Sequence, residues 1–170
     1  MASFTLTLDD AQVQAALTAL LHRVTDLRPA MEDLGRALVN ITEDAFQAEA
    51  SPFGPAWPDL SDVTKKRRAA IGKWPGQKLQ VTGGAGLAGS ISYDADATQV
   101  IVGAGKEYAA VQQFGQPKGA SGRTRRGAPI PWGDIPPRPY LPIDRAGTLA
   151  PVAQTEILAI LQGYLSRPLR

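Results

Sequence analysis

Few residues in this sequence are of the types that chemistry usually needs. The one histidine, His22, lies within a helical stretch beside an apolar stripe, and the chain has no cysteine. No second imidazole or thiolate is therefore at hand for a transition metal, and His22 reads as a structural or solvent-facing residue. Asp9 with Asp10, and Asp94 with Asp96, have the composition of a carboxylate pair. The first pair, however, stands where a helix begins and the second where a hairpin turns. Gly84, Gly86 and Gly89 fit the G-x-G-x-x-G spacing of a dinucleotide-binding turn. A true fingerprint follows a strand and opens a helix, whereas this one runs into the β-prone residues Ser90 to Tyr93, so it reads as a plain turn. No nucleophile and base can be assembled, and neither a catalytic residue nor a metal or cofactor is expected.

Two basic clusters are the remaining polar candidates: Lys65, Lys66, Arg67 and Arg68, and further on Arg123, Arg125 and Arg126. Either could meet phosphate, and either could be a solvated face. Neither cluster contains an aromatic residue, so base stacking on a single strand is poorly supported. Eighteen Lys and Arg barely outnumber sixteen Asp and Glu, for a formal net charge of +2, so global charge does not ask for nucleic acid. Sequence-blind contact with DNA, or with an acidic protein surface, stays open. Tyr108, Phe114, Trp132 and Tyr140 are the large side chains of irregular segments, the type enriched at interface hot spots and also the type that fills cores. The core is the favoured place for Tyr108 and Phe114. Trp132 lies in a stretch otherwise lacking apolar weight and reads as an interface residue.

The elements that position these residues follow from spacing. The alternation FTLTL over residues 4 to 8 predicts a strand, and Asp9 and Asp10 then stand where helix caps belong. Val13, Leu17, Leu20, Leu21 and Val24 make one apolar face of a helix that stops near Arg28, before Pro29. A second helix runs from there to about Ala50 with Met31, Leu34, Leu38, Ile41 and Phe46 on one face. Together these two helices are expected to supply the main apolar mass. SPFGPAWPDL reads as an irregular segment pinned by Phe53 and Trp57. Ser61 reads as the N-cap of a short basic helix. Residues 90 to 93 and 99 to 102 predict a hairpin turning through Asp94 to Thr98. Tyr108 to Phe114 reads as a short helix or turn with buried aromatic ends, stopped by Gly115. Residues 116 to 137 show no periodicity and read as a long exposed loop, mobile until something binds it. A last helix over about 148 to 165 places Ala153, Ile157, Ile160, Leu161 and Tyr164 together.

At 170 residues the chain suits one domain, 1–170, with 17 Gly and 14 Pro setting the loop content. No stretch approaches the ~18 apolar residues of a membrane span, and the first ten residues carry no recognisable address. The expected fold is α+β: two long N-terminal helices and a C-terminal helix on a small, mostly antiparallel sheet, with one long irregular loop.

Read in order, Trp57, Leu60, Ser61 and Thr64, then Leu79, Thr82 and Gly83, then Leu87, Ser90 and Ile91, then Val100 and Val102 form a series of landmarks. It continues through YAAVQQFG, Tyr108 to Gly115, and closes on RPYLPI, Arg138 to Ile143. The series resembles the phage virion morphogenesis family, the tail-completion proteins of Mu-like and P2-like phages, over roughly residues 30 to 145. The resemblance implies a structural virion part without catalysis. It would complete the tail for joining to the head as a homo-oligomeric ring, most often a hexamer in tail terminators. Implied neighbours are the tail tube and neck or connector proteins, at the top of the tail in the virion and in host cytoplasm during assembly. Arg123, Arg125 and Arg126 would pair with acidic groups on a neighbour or face passing DNA. The rival readings are another neck ring, a connector or stopper, and a sequence-independent DNA-binding module.

Overall fold

In the computed structural model, which describes residues 11–166, the chain forms α1 (Ala11–Thr25), α2 (Arg28–Ala48), α3 (Asp62–Ala70), β1 (Ile91–Ala95), β2 (Val100–Ala104), α4 (Ala109–Phe114) and α5 (Pro151–Ser166). The strand expected over residues 4 to 8 and the pair Asp9 and Asp10 lie outside the described residues, as does the His22 side chain. The fold is α+β, with helices around one two-stranded antiparallel sheet.

α2 is the spine. Pro29 pre-sets its first turn, and Glu49 ends it in the left-handed region at φ 51°. Met31, Leu34, Leu38, Ile41 and Phe46 all turn inward to some degree, with Leu34 and Phe46 fully buried. Phe46 meets Trp57 edge to face at 5.5 Å and Tyr140 at 5.2 Å between ring centroids. Leu87 and Ala45 complete that buried cluster, and Leu79, Ile91, Ala104 and Leu141 pack around it. β1 lies across α2 at Gly35, where an added Cβ would stand 2.2 Å from the Tyr93 ring. The absence of a side chain at Gly35 is what lets helix and sheet approach so closely.

α5 runs back along α2. Its first turn, at Val152, borders Ile41, Ala45 and Ala48, and near its end the Tyr164 hydroxyl donates to the Asp26 carbonyl at 2.8 Å. The expected inner face holds, with Ala153 and Tyr164 buried and Ile157, Ile160 and Leu161 half-buried. Ser61 caps α3 as expected, accepting from the Thr64 amide. The hairpin pairs Ile91 with Ala104 through Ala95 with Val100, and Asp96 closes its turn. Gly84 and Gly89 belong to two short 3₁₀ turns, Gly83–Ala85 and Ala88–Ser90, which lead into β1, and Gly86 ends the first of them. An added Cβ at Gly89 would meet the Gly84 carbonyl at 2.0 Å, so the spacing serves a tight backbone approach.

Two expectations are corrected. The α1 stripe is not core: Val13, Leu17, Leu20, Leu21 and Val24 are each between 43% and 66% exposed, because α1 leaves the spine at Asp26 instead of folding onto it. Residues 116 to 137 are the long, irregular, mostly exposed loop expected, but not one that lacks internal order. Gln116 and Ile135 exchange both backbone hydrogen bonds at 2.9 and 2.8 Å, and Gly119 and Ser121 donate to Pro131 and Ile130. Further out Thr124 donates to Ala128, so the segment is an ordered, hairpin-like projection with its tip near residues 124 to 128.

Candidate functional site

The projection is held at its base by polar side chains whose partners lie far away in sequence. Gln113, buried in α4, accepts from the Tyr140 and Leu141 amides at 2.9 and 3.0 Å and donates to the Leu141 and Ile143 carbonyls at 3.2 and 2.9 Å. One amide side chain thus completes four backbone groups of the Arg138 to Ile143 strap. Arg138, buried, donates through its Nε and Nη2 to the Pro58 and Asp59 carbonyls at 3.0 and 2.8 Å. Burial, opposed by nearby Asp59, lowers its pKa, and the like charge of Arg68 acts in the same direction as burial. Tyr140 is 1% exposed and donates to the Ala109 carbonyl at 3.1 Å, and burial pushes its phenol up to about 12. Lys118 in the projection donates its amide to Asp134 at 2.8 Å.

On this platform the sequence-nominated residues divide. Tyr140 belongs to the core of its own chain. Tyr108, expected in the core, is instead exposed, because α4 is a single short helix whose N-cap position faces outward. Phe114 is half-buried under the Arg145 guanidinium, 5.8 Å from its ring centroid, and its carbonyl accepts from Arg145. Trp132 is 71% exposed, beside the half-exposed Ile130. Arg123, Arg125 and Arg126 are all exposed at the tip, where Arg123 donates to the Gly127 carbonyl at 2.9 Å. The structure therefore gathers Trp132 and the three arginines on one projection and leaves Tyr140 and Phe114 beneath it.

The α3 cluster, by contrast, is half consumed inside the fold. Arg68 is buried and donates to the Gln77 carbonyl at 2.8 Å, and desolvation lowers its pKa. Lys65 pairs with Asp59 and lies 5.6 Å from the Trp74 ring centroid. The hydrogen bond from Lys65, with help from the Leu60 amide, holds the Asp59 carboxyl below its ordinary range. Lys66 and Arg67 face solvent. Among the described residues no group of three or more His, Asp or Glu is placed to hold a metal ion.

Sequence reasoning had Gln113 inside the YAAVQQFG landmark but missed its role, and it missed the meaning of α1. For α1 a signal was present: Arg23 is its one charged residue in 15, too few for a solvated helix face.

In this arrangement buried polar groups, Gln113, Arg68 and Arg138, shape the loops, while Trp132 and the three arginines of the projection sit outside. Residues 8–166 match the phage virion morphogenesis family, and the chain belongs to that family. Among its relatives, the Mu-like prophage FluMu G protein 1 of Haemophilus influenzae is 33% identical over 146 residues, covering 86% of this chain and 84% of that protein. The putative capsid assembly protein G of Escherichia phage Mu is 33% identical over 163 residues, 95% of this chain and 94% of its own. No solved structure matches.

Proposed function

We propose that this virion morphogenesis protein acts by association and not by catalysis, as a ring that completes the tail and joins it to the head. The observation that carries the reading is the projection of residues 116 to 137. It is ordered by its own backbone bonds, yet it holds Trp132 at 71% exposure and three arginines in solvent. An exposed tryptophan on a rigid scaffold is the kind of anchor that interfaces bury, at little entropic cost because the scaffold is already formed. In a ring each copy meets its neighbours through two different surfaces, and closure follows when the rotation per copy divides the circle. A hexamer, with tail tube and neck proteins as its neighbours, is the copy number and setting this reading favours.

A second reading has one observation in its favour. The name of the phage Mu relative places that protein in capsid assembly, which suits a neck ring, a connector or stopper, on the head side of the same junction. The two separate by light scattering over a range of concentrations, with the protein alone, then with tails lacking it, then with filled heads lacking it. A ring-sized species forming on tails supports tail completion, and one forming only on heads supports the neck ring. A monomer that ignores both and binds duplex DNA overturns the two together.

A further inference from the structure

The most apolar exposed surface of the described chain is not on the projection but on α1. Five aliphatic side chains, Val13, Leu17, Leu20, Leu21 and Val24, line one exposed face of this 15-residue helix. An isolated helix of this length is marginal in water, and a continuous apolar face of this kind is ordinarily covered. Its own chain is poorly placed to cover it. The link into α2 is pinned twice: Asp26 accepts from the Arg28 amide at 3.1 Å through its side chain, and from the Tyr164 hydroxyl at 2.8 Å through its carbonyl. These bonds fix the direction in which α1 departs.

A complementary surface exists at the other end of the spine. Between the C-terminal half of α2 and the start of α5 runs an open groove walled by Ile41, Ala45, Ala48, Pro52 and Val152. Val152 is 48% exposed there. The only charged residue lining the groove is Asp44, and the sequence of α1 contains no Asp or Glu and one Arg, so helix and groove differ in the sign of their net charge. The two patches differ: α1 departs before the first turn of α2, and the groove lies along its C-terminal half. From Arg28 to Ala45 is 17 residues, or roughly 25 Å of helix.

We propose that the apolar face of α1 seats in the α2–α5 groove of a second copy of this chain. Each copy then gives one helix and receives one, a head-to-tail contact that generates a ring when it closes. The inference rests on the ring reading and supplies the contact between its copies. Apolar burial drives it, so it strengthens with salt, whereas a contact made by the arginines weakens.

The absence of native cysteine makes the test direct. Leu17→Cys and Val152→Cys are made singly and mixed in equal amounts under mild oxidation. The expected result is a disulfide-linked pair of twice the chain mass from the mixture and not from either variant alone. In parallel Leu17→Asp with Leu21→Asp is expected to weaken self-association by roughly a hundredfold or more, since two carboxylates would enter an apolar seam. The thermal midpoint of the monomer is expected to stay put, because Leu17 and Leu21 are 57% and 66% exposed within the chain. If the double variant Leu17→Cys with Val152→Cys closes within one chain at monomer mass, the groove is filled by its own α1 and the proposal fails. It fails also if Leu17→Asp with Leu21→Asp assembles as the native protein does, or if the mixed cysteine variants never link. In each of these cases ring formation on tails still decides the ring reading separately.

Discussion

Gln113 concentrates in one side chain what the strap needs. Its carbonyl oxygen serves two amides and its NH2 group two carbonyls, all on Arg138 to Ile143, and the Gln113 side chain itself is buried. Gln113→Ala leaves these four groups without their partner, and a loss of roughly 3 kcal/mol is expected in urea or thermal unfolding. Gln113→Glu separates donor from acceptor. The introduced carboxylate can still accept from the two amides but faces two carbonyls it cannot donate to, so its folded-state pKa is raised. The variant is therefore destabilised at neutral pH and recovers stability as the pH falls through that raised value. Equal stability of this variant and the native chain from pH 7 to pH 4 would sink the account. The sequence did announce several core residues, since Trp57, Leu87, Ile91 and Tyr140 are landmarks of the family resemblance and all pack in or on the buried cluster. Gln113 stands in the YAAVQQFG landmark too, but its role could not be read there, because it is set by partners 27 to 30 residues away.

At the scale of elements, periodicity revealed α2, α5 and the hairpin because each has one face in the core of its own chain. It named the α1 face equally well and misjudged its cover, because a stripe records an apolar face and not what lies against it. The projection escaped for the opposite reason: its order comes from backbone exchange and turn residues, which need no period. Two predictions belong here. Gly35→Ala, favourable in most helix interiors, is expected to cost about 2 kcal/mol, because the new methyl group must displace the Tyr93 ring and lift β1 from α2. A neutral result in a thermal melt would mean that the sheet rides more loosely on the helix than the 2.2 Å approach allows. The hairpin turn has its own pH dependence. Asp96 accepts from the Thr98 and Gln99 amides and from both side chains, and these bonds hold its carboxyl at about 2, against 3.8 for a free one. A folded-state pKa below the unfolded one gives stability that is present above pH 3.8 and lost as the pH falls toward 2. The protection of the Thr98 and Gln99 amides, relative to an unstructured peptide at the same pH, should fall across that window. In Asp96→Asn the acid step should vanish.

For the molecule as a whole the question is what its cations would do in the proposed ring. Half of the α3 cluster is spent on Gln77 and Asp59, so the arginines of the projection are the better candidates for contact with DNA passing through a junction. A single copy can neutralise at most three phosphates with Arg123, Arg125 and Arg126. The slope of log affinity against log salt for a free subunit should then not exceed about 3 in magnitude, and binding at physiological salt should be negligible. A ring presents that set once per copy around one axis, so measurable duplex binding is expected only in the assembled species, with a steeper salt dependence. Replacing all three by alanine should leave the unfolding free energy within about 0.5 kcal/mol, because the side chains are exposed. It should also remove the salt-dependent binding of the assembled ring. Fluorescence anisotropy with a short duplex at several salt concentrations, on native and triply substituted protein above and below the assembly threshold, reads both effects. Binding that persists in the triple variant with an unchanged slope would move the contact to Lys66 and Arg67 on α3. Binding by the isolated subunit at the full slope would favour a DNA-binding module over a ring, since its affinity would then owe nothing to assembly.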